Sequence, residues 1–166
     1  LTLSVYDYYL YKTSPSIICS NAAIWGLNIA LAAVAVSWVT PIYMWAYAHK
    51  LSPLPTQSLF SFLLAVIVYD FLYYWFHRVS HYLSLLWKIH SVHHQATALT
   101  PSLGVRTSAF DFSVAWFITV PMILIGFGAG HLIIALGCHG MYQIFLHNRF
   151  RKSLPVIDFL FNTPNH

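Results

Sequence analysis

The sequence predicts an all-α protein, an integral membrane helical bundle of about four transmembrane helices. Of its 166 residues, 58% are hydrophobic and only 7% are charged, whereas about 25% of the residues of an ordinary soluble domain are charged. Three long segments, 13–49, 51–69 and 112–148, contain no Asp, Glu, Lys or Arg. Because a helix needs about 20 apolar residues to cross a bilayer, each segment can supply at least one span.

The first predicted helix begins at Ser14-Pro15, where a capping residue precedes a proline suited to the first helical turn. Its apolar run covers 17–39 and can continue to residue 48 with a kink at Pro41. The polar, proline-containing segment 50–57 predicts a loop.

A second apolar run, 59–76, continues without a break signal into the histidine-containing segment 77–81. Residues 82–109 are more polar, so we expect them outside the hydrocarbon. Three closely spaced glycines interrupt the last apolar stretch and predict a hairpin of two short spans, 112–125 and 131–146.

The basic residues indicate the orientation of the bundle. With four spans, seven of the eight Lys and Arg fall on one side of the membrane: Lys12, Arg78, Lys88, Arg106, Arg149, Arg151 and Lys152. Only Lys50 lies opposite. Because such residues tend to stay cytoplasmic, the histidine clusters on their side are expected to face the cytoplasm. The basic residues form no stripe, so no nucleic-acid partner is expected.

Two histidine groups predict a metal site. His77 and His81 are four residues apart, which on a helix places both imidazoles on one face. His90, His93 and His94 repeat the arrangement with spacings of three and four. Five histidines within eighteen residues exceed what core packing requires, and neutral imidazole is the commonest metal ligand. Ligand chemistry alone would accept zinc, copper, iron or nickel.

Asp70 lies seven residues before His77, about two helical turns, and an ionisable residue in a membrane helix is by default a functional candidate. We expect it to accept a hydrogen bond from a ligand histidine and fix its tautomer; the alternative is a structural bond to a tyrosine or to another helix. The chain contains four Asp and no Glu, which excludes the His-Glu-x-x-His protease pattern and di-iron bundles built on Glu-x-x-His. Any metal is therefore held mainly by nitrogen.

The segment Asp70-Phe-Leu-Tyr-Tyr-Trp-Phe-His77-Arg-Val-Ser-His81, followed by His90-Ser-Val-His93-His94, resembles the fatty acid hydroxylase and sterol desaturase superfamily. Tyr142-Gln-Ile-Phe-Leu-His147 and Asn162-Thr-Pro-Asn-His166 are similar to the pattern of its alkylglycerol monooxygenase branch. Members are integral membrane enzymes that use two non-haem irons, oxygen and an external reductant to hydroxylate or desaturate lipid chains and sterols.

This resemblance implies a di-iron oxygenase acting on a lipid or sterol. The separate electron donor would be a cytochrome or ferredoxin in most of the superfamily and tetrahydrobiopterin in the alkylglycerol branch. The implied metal ligands are His77, His81, His90, His93, His94, His147 and His166. The implied location is the endoplasmic reticulum of a eukaryote or the inner membrane of a bacterium.

No repeat or second soluble domain is visible, so residues 1–166 are expected to form a single membrane domain. The resemblance implies a third histidine motif that begins at or just after His166, so the chain is expected to be a fragment truncated within that motif.

A non-catalytic membrane protein whose histidines bind haem or transport a divalent metal is the alternative. A haem carrier needs two axial histidines on facing helices rather than five close together, and a transporter more naturally places polar ligands near mid-membrane at broken helices. Of the remaining histidines, His139 is expected to pack or to form a hydrogen bond, and His49 and His131 are expected to be interfacial or structural.

Overall fold

The computed structural model of the chain describes residues 12, 14–55, 58–95, 108 and 114–146, and this part contains five α-helices. They are α1 (Pro15–Ala48), α2 (Leu59–Tyr82), α3 (Ser84–His94), α4 (Trp116–Ile125) and α5 (Ala129–Leu146). The described residues include no strand, and the all-α prediction is confirmed for them.

Helix α1 begins at Pro15, as the sequence predicts. Ser14 has an extended backbone, and its carbonyl accepts hydrogen bonds from the N–H groups of Ile17 and Ile18. The helix continues through Pro41 to Ala48. Its buried residues recur at spacings of seven and four and therefore share one stripe: Asn21, Asn28, Ala35, Val39 and Ala46. The other faces are largely apolar and exposed, a distribution suited to contact with lipid.

Helix α2 is the centre of the bundle. It packs against α3, α4 and α5, while α1 packs against α4. The buried core is formed by residues of α2, α4, α5 and the turn before α5: Ala65, Tyr69, Ile118, Met122, Phe127 and Ala135. Between α1 and α4, the hydroxyls of Tyr43 and Thr119 lie 2.8 Å apart, so this apolar contact also carries a polar link.

Apart from the short helix α3, the helices alternate in direction. The segment after α1 meets the end of α4, because the Leu51 N–H donates to the Leu124 carbonyl. Near the starts of α2 and α5, His131 Nε2 lies 3.0 Å from Ser61 Oγ. Helices α1 and α4 therefore run one way, and α2 and α5 run the other way.

Gly126 ends α4 in the left-handed region, with φ of 122°. Its N–H donates to the carbonyls of Met122 and Ile123, and its own carbonyl accepts from the Leu54 N–H. A Cβ at this position would collide with the Ser52 carbonyl oxygen. Both the backbone angle and this close approach require glycine. The hydrogen bond between Leu54 and Gly126 joins the α1–α2 loop to the α4–α5 turn.

Two of the described helices, α1 with 34 residues and α2 with 24, are long and apolar enough to cross a bilayer. Helix α4 is apolar, but its 10 residues span only about 15 Å. The predicted hairpin of 112–125 and 131–146 corresponds to α4 and α5. The structure thus has the predicted helices in the predicted order, while four full spans stay a prediction.

Candidate metal centre

A one-residue break places the two histidine groups opposite each other. Leu83 is extended, with φ −89° and ψ 118°, and separates α2 from α3. Its N–H still donates to the Val79 carbonyl, and its own carbonyl accepts from the Trp87 N–H. Since α3 then packs back against α2, histidines from the end of α2 and from α3 converge.

Four imidazoles form one compact group: one ligand nitrogen of each of His77, His81, His90 and His94 lies within 4.8 Å of the others. The Nε2 atoms of His77 and His81 are 3.2 Å apart, and those of His90 and His94 are 2.9 Å apart. Nitrogens bound about 2.1 Å from one metal ion at neighbouring positions lie about 3 Å from each other. The residues present therefore fit a transition-metal ion held by imidazole.

The group is anchored on the bundle and open on its outer side. His77 is buried, His90 is half-buried, and His81 and His94 are exposed. Between the helices, the ring centroids of His77 and His90 are 4.3 Å apart, and those of His81 and His94 are 4.9 Å apart. Each helix thus contributes one inner and one outer imidazole.

The other predicted ligands have different placements. His93 is not part of the four-histidine group, although its ring centroid lies 5.7 Å from that of His90 and 5.3 Å from that of His94. His147 and His166 lie outside the described residues. The structure therefore assembles four of the seven predicted ligands, with a fifth adjacent to them.

Asp70 forms its hydrogen bond with another helix. Its Oδ1 lies 3.1 Å from Nδ1 of His139 on α5, and the opposite ring nitrogen of His139 lies 2.8 Å from the Gln143 amide nitrogen. The sequence predicts a ligand histidine as the partner, and His139 is not among the predicted ligands. The bond to His139 corresponds instead to the alternative of a bond between helices.

Two aromatic residues pack beside the clustered histidines, a role that the sequence had not indicated for either of them. The ring centroid of Trp87 lies 5.4 Å from that of His81 and 5.6 Å from that of His94. The ring centroid of Tyr73 lies 6.0 Å from that of His77. Helical spacing could have identified both residues, because Trp87 lies seven positions before His94 and Tyr73 lies four positions before His77.

An apolar cavity of about 440 Å³ lies between α1, α4 and α5, at the opposite end of the bundle. Its lining includes Tyr43, Met44, Tyr47, Ile123, Phe127 and Leu132. None of the four clustered histidines lines this cavity. It is therefore separate from the candidate metal centre.

Comparison with known proteins agrees with these features. Residues 62–166 match the family model described as fatty acid hydroxylase. The chain is 34% identical to alkylglycerol monooxygenase of Danio rerio and 30% identical to that of Homo sapiens, in each case over 128 residues that cover 75% of this chain and 28% of the relative. The chain thus spans about a quarter of the length of these relatives. No solved structure matches it.

Proposed function

Because the chain belongs to the fatty acid hydroxylase family, we propose that it carries the metal centre of a membrane lipid monooxygenase that hydroxylates a C–H bond with O2. The observation that carries this proposal is the group of four imidazoles where α2 meets α3. Four relatives are named alkylglycerol monooxygenase, which makes alkylglycerols the first substrates to test.

The proposed metal is iron, with two ions per site. His77, His81, His90 and His94 would hold the first ion, because their nitrogens already converge. His93, beside this group, together with His147 and His166, would contribute to the second.

The parallel arrangement of α2 and α5 supports a role for His147. Asp70 contacts His139, and seven residues further along each helix stand His77 and Leu146. Leu146 therefore lies close to the level of His77, and His147 is the next residue in the sequence.

Bound iron would supply the activation of oxygen and the oxidation of the lipid carbon. One oxygen atom enters the lipid and the other leaves as water, so the reaction also consumes two electrons and two protons. We propose that a separate donor, a cytochrome, a ferredoxin or tetrahydrobiopterin, provides the electrons. The imidazoles would be neutral when they hold the ion. The apolar helices would deliver the lipid chain and exclude water.

The proposed topology has four membrane segments with the histidine groups facing the cytoplasm, in the endoplasmic reticulum or a bacterial inner membrane. The alternating helix directions support it. Arg78 and Lys88 lie at the histidine end, and Lys50 follows α1 at the opposite end, in accord with the tendency of basic residues to stay cytoplasmic.

The experiment compares His77→Ala and His90→Ala with His49→Ala in the full-length protein in nanodiscs. Iron per chain and oxygen-dependent hydroxylation of an alkylglycerol are measured with each class of donor. We expect both site variants to lose iron and turnover. His49, which bonds to the Trp45 carbonyl at the far end of α1, should be dispensable. Full turnover in His90→Ala would refute the proposal, and iron binding without turnover of any lipid would favour a non-catalytic metal-binding protein.

A further inference from the structure

We propose that Asp70 and His139 are positioning residues for the metal centre: their hydrogen bond fixes α2 against α5 and, through the ring of Tyr73, sets the placement of His77. This inference rests on the proposed function, because it assigns His77 to a metal. It differs from the expected contact of Asp70 with a ligand, since the carboxylate acts through another helix.

The first support is the burial of the pair. The side chains of Asp70 and His139 are only 14% and 5% exposed, and their Oδ1 and Nδ1 atoms are 3.1 Å apart. Asp70 is the only carboxylate residue in the part of the chain that the structure describes. A carboxylate in an apolar helix contact is costly unless a donor meets it. The bond therefore favours one placement of α5 beside α2.

The second support is the fixed orientation of the His139 ring. The Gln143 amide nitrogen lies 2.8 Å from His139 Nε2, and an amide nitrogen only donates. His139 Nε2 therefore accepts, so the ring carries its proton on Nδ1 and donates it to Asp70. The hydrogen bonds at both ring nitrogens define the tautomer of His139. Together with the Tyr69 ring, whose centroid lies 5.1 Å from that of His139, they also define the plane of the ring.

The third support is a direct path from His139 to the metal centre. The centroid of the Tyr73 ring lies 4.1 Å from that of His139 and 6.0 Å from that of His77. Tyr73 precedes His77 by four residues, so both lie on the same face of α2. A displaced His139 ring would displace Tyr73 and, with it, the buried imidazole of His77.

The same helix pair supplies a matched control. Ser61 and His131 link α2 and α5 by a second hydrogen bond, of 3.0 Å. Ser61 lies sixteen residues before His77, about 24 Å along the helix, whereas Asp70 lies about 10 Å from it. Breaking the bond between Ser61 and His131 therefore loosens the contact between α2 and α5 at a point far from the metal centre.

The experiment uses the full-length protein, stripped of metal, in nanodiscs, with Co(II) as the probe. Co(II) affinity and its visible absorption band are measured for Asp70→Leu, which removes the acceptor, and for His139→Leu, His139→Asn and Ser61→Ala. We expect Asp70→Leu and His139→Leu each to lower Co(II) affinity by about 10-fold, the lower end of the range for residues that hold metal ligands, and to shift the band. His139→Asn, which keeps an N–H near the position of Nδ1 but lacks the ring that packs on Tyr73, should restore part of the affinity lost in His139→Leu. Ser61→Ala should lower the unfolding temperature and leave affinity and band unchanged.

If His139→Leu does not fold, Asp70→Leu and His139→Asn still decide the question. Unchanged affinity and band in Asp70→Leu would overturn the proposal. An equal effect of Ser61→Ala would also overturn it, since the bond would then contribute only general packing.

Side-chain NMR of the metal-free protein separates this inference from the proposed function. Ring signals of His77 that shift in Asp70→Leu but not in Ser61→Ala support the positioning role, even if the wild type binds no cobalt and the proposed function fails. His77 signals that stay unchanged in Asp70→Leu overturn the positioning role.

Discussion

The imidazole of His90 on α3 packs edge-on against that of His77 on α2, with 4.3 Å between centroids and 80° between planes. The two lie thirteen positions apart in sequence, on either side of a helix break. Each helix places a pair of histidines at a spacing of four, and this contact joins the two pairs into one group. A metal bound there would also fasten α3 to α2.

Replacing His93 and replacing His94, neighbours on α3, are predicted to change the affinity for the first metal ion by different amounts. His94→Ala removes a member of the four-histidine group and should weaken binding of the first ion by more than about 100-fold, beyond the range for an outer partner. His93→Ala should leave that affinity within a few-fold, yet abolish hydroxylation and the second ion while membrane insertion persists. Chelator competition, iron per chain and turnover check both variants. Equal losses of first-ion affinity would show that both histidines serve one ion.

Metal affinity is predicted to depend on pH with a definite sign. Only neutral imidazole coordinates, so protons compete with the metal, and affinity should fall as pH falls. We expect a decrease of about tenfold or more per pH unit over the range in which imidazole takes up a proton. Co(II) titrations between pH 5.5 and 8 measure this slope, with the histidine-depleted variant His77→Ala/His90→Ala as the reference. A flat profile would contradict binding by the four imidazoles.

Gly126→Ala is predicted to destabilise the fold by about 1–3 kcal/mol, because a side chain at positive φ is strained and its Cβ meets the Ser52 carbonyl oxygen. Gly130→Ala is the matched control: it lies in α5 with nothing within 4 Å of an added Cβ, and alanine favours a helix. Thermal unfolding in detergent compares the two. An unchanged unfolding temperature in Gly126→Ala would mean that the loop and turn are not fastened together.

The two ends of α2 are predicted to lie on opposite sides of the membrane. In a background without other cysteines, Ser84→Cys should react with a membrane-impermeant maleimide from the cytoplasmic side, and Pro53→Cys from the other side. Ile67→Cys, exposed on the middle of α2, should react from neither side because lipid covers it. Labelling of positions 53 and 84 from the same side would contradict the proposed topology.

The start of α1 and the glycine break before α5 could be predicted because each follows from local chemistry. Proline at the first helical position restricts the backbone directly, and α1 begins at Pro15. Gly126 likewise stands where a left-handed residue ends α4. The number of helices that cross the membrane was harder to predict, because apolar composition does not fix where a helix begins. Helix α4, for example, is described for only ten residues.

By itself, the sequence determined the helical membrane class, the two histidine pairs and the nitrogen-rich character of the site. These properties depend on composition and on spacing along a single helix. Only the tertiary structure decided that His94 joins His77 while His93 lies beside them, and that Asp70 meets His139 rather than a ligand. The physical reason is that spacing specifies which side chains share a face of one helix, whereas the partner across an interface depends on the direction, break and register of two helices.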